Sequence, residues 1–479
     1  MKLSQILQGI ECQKINFLDV DIEYLSNSTI DIRENTLYFC ISGTNVDGHQ
    51  FANMAVNKGS VALVVEKPLN IDVPQIVVQN VRKSIGIMAS NFYQNPRKSF
   101  GLIGVTGTNG KTTTTYMIKS ILETAGFRVG VIGTIGVAVG DRTLKATLTT
   151  PDPIQLHQIF ALMREEGADY VVMEVSAHAI ALDKMAGVVC DVGILTNITQ
   201  DHLDFFVDMD KYKETKLKFL SDEFCKTKVI NIDDDIILDS FLSGRISNAV
   251  TFGLDNPSDV FAIKINYSML GTTYFLNLCD NVGAVNTRLI GEFNLYNAMG
   301  AATACLMLGV DTESIFLGLS TCDFVPGRCN IIPLKNGAYA VIDYAHTPDG
   351  LQKILTSIRQ ICKSRLYCLF GCGGNRDATK RPIMGQISAK FADFTVITSD
   401  NSRLEDPDSI IEQIKKGVTG ITDQYTCIQN RKEAILNTIN SLSSGDVLVI
   451  AGKGAEDYMD IAGKKIPYSD FDCLQQAKK

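Results

Sequence analysis

Apolar residues recur along this chain in short, nearly unbroken runs, separated by polar stretches long enough to hold a helix. From residue 100 these runs are Leu102–Val105, Val129–Ile132, Tyr170–Val175, Val192–Leu195 and Val229–Ile232. Short runs rich in Val and Ile predict strands buried on both faces, and the strand–helix rhythm predicts a mostly parallel, doubly wound sheet. The rhythm restarts with Ala338–Ile342, Leu366–Phe370, Phe394–Ile397 and Val447–Ile450. Ahead of both series, Leu37–Ile41 and Val61–Val65 flank a helical segment that carries Phe51, Met54 and Ala55. The fold class this predicts is α/β in three domains: a small N-terminal α/β unit over 1–90, a central doubly wound unit over 91–329, and a Rossmann-like α/β unit over 330–479. The polar Asn91–Ser99 stretch, with Pro96 inside it, predicts a linker. A helix-rich piece, Asn297–Leu308, precedes a boundary at Pro326-Gly327-Arg328.

A length of 479 residues is enough for two to four domains and more than one buried core. The net charge of −8 supplies no basic footprint, which argues against nucleic acid as a partner and leaves anionic substrates to be held by local Arg and Lys. No apolar run is long enough to span a bilayer, and the N-terminus lacks the layout of a secretory signal, so the expected setting is cytoplasmic with no membrane partner. The 13 cysteines are odd in number, lack zinc-like spacing and sit mostly in apolar stretches such as those around Cys40, Cys190, Cys305 and Cys368. They read as reduced core residues.

The chemistry concentrates at Gly104-Val-Thr-Gly-Thr-Asn-Gly-Lys-Thr-Thr-Thr-Thr115, a strand running through a glycine-rich loop into a helix. Such a loop offers backbone N–H groups to phosphate, and the helix adds the positive end of its dipole. Lys111 is placed to reach the β/γ-phosphates of ATP, and the Thr112 hydroxyl to hold Mg²⁺. The strict pattern asks for glycine where Val105 stands; the flanking glycines are Gly104 and Gly107. Met173-Glu-Val-Ser-Ala-His178 ends a strand and puts Glu174 where a carboxylate serves a hard cation. Asn197-Ile-Thr-Gln-Asp-His-Leu-Asp204 offers Asp201, His202 and Asp204, although His202 by itself reads as a hydrogen-bonded loop residue. Four of the five histidines (His49, His178, His202 and His346) fall in polar clusters, a distribution that favours site roles. Lys216 by itself reads as a lysine on the solvated face of a helix. In the last third, each strand ends in a polar, glycine-rich or acidic cluster: Asp343-Tyr-Ala-His, Gly371-Cys-Gly-Gly-Asn-Arg-Asp, Ser399-Asp-Asn-Ser-Arg and Ala451-Gly-Lys-Gly-Ala-Glu. Clusters at the carboxyl ends of strands in an open α/β sheet line one crevice.

Taken in order, Thr106-Gly-Thr-Asn-Gly-Lys-Thr-Thr, Met173-Glu-Val-Ser-Ala-His, Asp201-His-Leu-Asp, Phe293-Asn-Leu-Tyr-Asn297 and Asp343-Tyr-Ala-His-Thr-Pro348 resemble the motifs of the Mur ligases of peptidoglycan synthesis. The last-third clusters resemble those of the members that add the third residue to UDP-N-acetylmuramoyl-L-alanyl-D-glutamate. The resemblance covers nearly the whole chain. It implies a monomeric ligase in which ATP phosphorylates a substrate carboxylate and an amine attacks the resulting acyl phosphate. It places Gly107, Thr108, Asn109, Gly110, Lys111, Thr112, Thr113, Asn294, Arg328 and Asp343 against ATP. Thr112 and Glu174 would hold one Mg²⁺, and His202 with Lys216 carried as N6-carboxylysine a second. Lys111, His202 and Lys216 are thus the implied catalytic set. Thr29, Thr149, Thr150, Ser176 and Lys184 fall against the UDP-linked substrate, giving the first domain a uridine-binding role. Arg376, Asp400, Asn401, Arg403, Gly452 and Glu456 fall against the incoming amino acid.

The choice of that amino acid turns on Asp400-Asn-Ser-Arg403. Members using meso-diaminopimelate carry an Arg at this position that pairs with the distal carboxylate, and a planar guanidinium binds a carboxylate bidentately. The reading is therefore a diaminopimelate ligase. Alternatives are the same chemistry with L-lysine or another amino acid or acyl substrate, and a non-catalytic nucleotide-binding paralogue. The chain departs from the family pattern at Ser402 (usually Pro), Ala455 (His), Asn375 (Asp), Ala177 (Ser), Lys184 (Arg) and Phe206 (His). It also reads Ser28-Thr29-Ile30 where the uridine-contacting Asp-Ser-Arg is usual. With Ser402 in place of Pro, the loop presenting Arg403 is expected to be looser.

Overall fold

The computed structural model describes residues 1–43, 46–145 and 148–477, with every side chain among them except those of Asp204 and Ala477. The fold is α/β. Two compact units are formed, one from Met1–Thr106, Phe127–Gly193 and Thr215–Lys228, the other from Gly107–Gly126, Ile194–Glu214 and Val229–Lys479.

In the first unit, a five-stranded sheet among the described residues runs in the order Gln13–Ile15, Gln75–Val77, Ser60–Val65, Thr36–Phe39, Tyr24–Ser26. Its pairs are parallel apart from the antiparallel first one. Thr36–Phe39 and Ser60–Val65 are apolar after their first residues because each face is covered. Leu37, Phe39, Ala62 and Val64 pack with Val81, Ile85 and Met88 of the helix Val81–Phe92. Tyr38, Leu63 and Val65 point the other way, onto Ala52 and Ala55 of the helix Ala52–Asn57.

The stretch read as a linker is structured. The Val81–Phe92 helix runs into it, and Pro96–Ser99 forms a turn of 3-10 helix. Arg97 donates to the Val189 carbonyl at 2.8 and 3.0 Å and pairs with Asp191 at 2.7 Å. Its polar composition reflects a hydrogen-bonded strap, not a free tether.

The same unit holds the parallel strands Gly101–Thr106, Tyr170–Glu174 and Val129–Gly133, with Met173 opposite both Gly104 and Ile132. Beyond them Gly136–Val139 and Arg142–Leu144 add on antiparallel. In the second unit, Val260–Ser268, Gly271–Leu278 and Asn281–Thr287 form an antiparallel meander. The expectation of a mostly parallel sheet is therefore too simple. The meander strands alternate buried and exposed positions, as in Gly271–Leu278, so no apolar run betrays them.

Also in the second unit, six strands follow the order Asn330–Pro333, Tyr339–Asp343, Val447–Ala451, Leu366–Phe370, Phe394–Ile397, Tyr425–Cys427. All pairs but the first are parallel, and Asp343 lies opposite Ala451, as Phe370 does opposite Ile397. The carboxyl ends, with their polar clusters, therefore share one edge of the sheet. Helices Pro348–Ile361, Lys380–Phe391 and Pro407–Val418 bury one face of it; Arg431–Ser441 and Asp470–Ala477 bury the other.

Candidate active site

The glycine-rich loop has the backbone its sequence demands. Gly107 and Gly110 have φ of +146° and +89°, and a Cβ on either would run into Thr196 Oγ1 or Asn297 Oδ1. Gly110 is the N-cap of the helix Lys111–Thr124. The loop is pinned from below: Thr108 N donates to the Asn197 carbonyl at 2.9 Å, Asn109 N to Asn197 Oδ1 at 2.9 Å, and Thr196 Oγ1 to the Asn109 carbonyl at 2.6 Å. Lys111 Nζ donates to the carbonyls of Gly107 and Thr108 at 2.9 Å, so its ammonium lies over the cradle. Thr113 is buried in the first helical turn.

Charged groups from the last third reach this loop. Arg328 donates from Nη2 to Thr112 Oγ1 at 2.9 Å and lies over the Tyr344 ring at 4.3 Å from its centroid. Asp349 Oδ2 accepts from Asn109 Nδ2 at 2.7 Å. Asp343 accepts from the backbone of Cys329 at 2.8 Å and of Ala345 at 2.7 Å; burial raises its carboxyl above the ordinary value, with Arg328 opposing. Asn294 is buried, donating to the Ile290 carbonyl and accepting from Asn297. Asp201 sits near His202, His346 and Lys380. Burial alone would raise its carboxyl, but the fields of His202, His346 and Lys380 outweigh it and hold it low. His202 has φ of +55° and brings Nε2 to 3.4 Å from Asp201 Oδ2. Burial first, then Lys380, pushes His346 down to about 4. Asp204, the end of that motif, lies outside the described side chains.

In the first unit, Glu174 ends its strand 1% exposed, accepting from Thr134 N at 2.9 Å and Thr134 Oγ1 at 3.1 Å. Thr149 joins through Thr134 at 3.1 Å, while Thr150 Oγ1 links the Glu174 carbonyl, at 2.9 Å, to Ser176. Lys184 pairs with Asp152 at 2.8 Å. Lys216 is 1% exposed, with Nζ 3.5 Å from Thr106 Oγ1 at the end of the strand that enters the loop. The reading of Lys216 as a solvated lysine is thus overturned: it shares a helical face with Tyr212 and Phe219, both buried. Thr29 follows the strand Tyr24–Ser26, its carbonyl accepting from Lys58 Nζ at 2.7 Å.

No three His, Cys, Asp or Glu side chains among the described residues form a metal cage. The Thr112 hydroxyl and the buried Glu174 carboxylate are each hard oxygen donors, the ligand type that Mg²⁺ takes.

The third constellation sits where the strands of the six-stranded sheet end. Asn401 Nδ2 donates to Glu456 Oε2 at 2.8 Å, and Asn401 Oδ1 accepts from Asp460 N at 2.8 Å. Gly452, at φ +111°, leaves no room for a Cβ against Asp400 Oδ2. Arg403 has φ of +51° and donates from Nη1 to the Gly374 carbonyl at 2.7 Å. The loosening expected from Ser402 is not found. Arg403 N donates to the Asp460 carbonyl at 2.9 Å and its own carbonyl accepts from Ala462 N at 2.6 Å, so the hairpin Tyr458–Ile461/Lys464–Pro467 grips it. Arg376 is exposed, with a long 3.5 Å contact to the Asn375 carbonyl.

Sequence reasoning missed Asp349, which no quoted motif contains, and quoted Asn197, Asn297 and Lys453 within motifs without singling them out. It also over-read His49, whose ring is spent on Asp47 Oδ1 at 2.6 Å and Glu66 N at 2.9 Å in a structural turn.

A glycine loop opening a helix at a parallel strand end, with a lysine folded over it, defines a P-loop-type nucleotide-binding α/β enzyme. The chain belongs to the Mur ligase family. Residues 21–93 match the Mur ligase family catalytic domain, 105–305 the Mur ligase middle domain and 327–454 the Mur ligase glutamate ligase domain. It is 40% identical over 99% of both chains to the UDP-N-acetylmuramoyl-L-alanyl-D-glutamate--2,6-diaminopimelate ligase of Clostridium tetani, and 38% identical over the full length to that of Clostridium botulinum. A solved structure of such a ligase covers 100% of this chain and 98% of its own, with a TM-score of 0.71 and 27% identity. MurF from Acinetobacter baumannii shares the fold, with a TM-score of 0.68 at 19% identity over 94% of this chain and 95% of its own.

Proposed function

We propose that this chain is the ATP-dependent, ADP-forming ligase that adds meso-2,6-diaminopimelate to UDP-N-acetylmuramoyl-L-alanyl-D-glutamate in the cytoplasm. The observation that carries the amino-acid choice is Arg403, held by backbone on both sides and tethered through one nitrogen, which leaves the rest of its guanidinium for a distal carboxylate. Asp400, Asn401 and Glu456 face the ammonium at the same end, and Arg376 takes the carboxylate beside the reacting amine. Lysine offers no partner for Arg403.

A carboxylate is a poor electrophile, so it must first be phosphorylated. The amides of Gly107–Gly110 with Thr113 cradle the phosphates, Lys111 swings from the loop carbonyls onto the transferring phosphoryl, and Arg328 shifts from Thr112 toward the same charge. Asn294 and Asp343 contact the nucleotide. Thr112 and Glu174 would hold one Mg²⁺ and His202 with Lys216 a second, and the ions would supply charge neutralisation for the transferring phosphoryl. Burial penalises a charged amine at Lys216, and the neutral amine is the form that adds CO₂, releasing a proton and leaving a carbamate. The UDP-linked substrate is held by Thr29, Thr149, Thr150, Ser176 and Lys184. Domain boundaries near residues 90 and 329, and a monomer, complete the reading.

The test is product mass after incubation with ATP, Mg²⁺ and the UDP-linked dipeptide, with diaminopimelate or L-lysine in parallel. A diaminopimelate adduct formed much faster than the lysine adduct supports the assignment. Faster lysine addition retains the ligase and removes the argument from Arg403, and no adduct with either removes the acyl substrate.

A further inference from the structure

Lys453 is a charged side chain that the reaction as described does not use, yet it is 0% exposed. Its Nζ donates to Glu456 Oε2 at 2.8 Å and to Asn401 Oδ1 at 3.2 Å, and lies 3.8 Å from Asp400 Oδ1. Three residues assigned to the amino-acid site thus converge on one ammonium that the substrate itself cannot reach. Glu456 Oε2 also accepts from Asn401 Nδ2 at 2.8 Å, while Glu456 Oε1 accepts from no described donor. The lysine thereby locks one oxygen of that carboxylate and leaves the other for a ligand. Gly452 and Gly454, at φ +111° and +54°, turn the chain so that Lys453 points inward between them.

Charge makes the same point. Asp400 and Glu456 together carry two negative charges, and Lys453 cancels one. A partly buried cluster with a single net negative charge suits one ammonium; with two it would be repulsive in itself and swollen with water. We propose that Lys453 is a positioning residue for the incoming amino acid, fixing Glu456 and Asn401 so that the cluster accepts one ammonium. The inference rests on the diaminopimelate-ligase reading above. It separates Lys453 from Arg403, because the ammonium is common to diaminopimelate and lysine whereas the distal carboxylate is not.

The experiment is steady-state kinetics of the full-length enzyme with both amino acids for wild type, Lys453→Met, Glu456→Gln and the double variant. Lys453→Met should raise KM at least tenfold for diaminopimelate and for lysine alike, leave their ratio within twofold, and leave KM for ATP within twofold. The double variant should be no worse than the poorer single one, since Lys453 acts through Glu456. A wild-type KM in Lys453→Met, or multiplying losses in the double variant, overturns the inference while wild-type turnover keeps the ligase reading intact. No wild-type turnover with either amino acid would instead overturn that reading. If Lys453→Met gives no folded protein by circular dichroism, Lys453→Gln, which keeps a donor and loses the charge, is held to the same criteria.

Discussion

At the scale of single residues, the most instructive position is Lys216. The helix Met209–Lys218 carries lysines at 211, 213, 216 and 218, and composition alone gives no reason to prefer one. Spacing does not either, since Lys213 lines up with Leu217 and Leu220 as Lys216 does with Tyr212 and Phe219. The burial of Lys216 is seen only in the structure, and its carbamate was implied only by the family resemblance. If that carbamate holds metal, Lys216→Ala should lower kcat roughly 10³-fold, and acetate added to the variant should restore part of the rate. Full activity of the untreated variant would take Lys216 out of the site. Arg403→Ala should raise KM for diaminopimelate by about 10- to 100-fold, the range for a charge-assisted pair, with KM for ATP held. An unchanged diaminopimelate KM would refute its role.

At the scale of elements, the strands that were easy to read are those buried on both faces, since continuous apolar runs survive any register. Strands with one wet face, such as Gly271–Leu278, alternate and hide among polar residues. The carboxyl-end clusters of the six-stranded sheet were legible for the same reason that the strands were: each begins where an apolar run stops. How Arg403 is held was not legible, because the grip comes from a hairpin more than fifty residues away in sequence. A left-handed non-glycine residue costs roughly 1–2 kcal/mol and persists only where its surroundings over-determine it. Here the Asp460 carbonyl, the Ala462 amide and the Gly374 carbonyl do so. The Asp460 amide holds the neighbouring Asn401 in addition. Asp460→Pro deletes that donor and disturbs the strand, so it should raise KM for diaminopimelate roughly tenfold and narrow its advantage over lysine. Retained discrimination would show that the hairpin is only a prop.

At the scale of the whole molecule, burial couples stability to pH through histidine. His157 lies on the helix Pro153–Glu165, 1% exposed, edge-on to Phe160 with ring centroids 5.7 Å apart, and its Nδ1 has no hydrogen-bond partner. Its sequence context already marks it as the odd histidine, the one of five outside a polar cluster. Burial pushes it down to about 4 from an ordinary 6.5. Between these values the unfolded chain binds a proton that the native chain refuses, so stability rises with pH across that window and is lost on acidification from about 6.5 toward 4. One such group gives a slope of up to about 1.4 kcal/mol per pH unit. His346, pushed to about 4 as well, adds in the same direction, discounted because it is only half-buried. Thermal unfolding followed from pH 7.5 to 5 should therefore show Tm falling with acidity, and His157→Leu should flatten that fall while leaving Tm at pH 7.5 little changed or higher, since it removes an unsatisfied polar atom from an apolar site. An identical slope in the variant would mean that other groups set the acid limit of this fold.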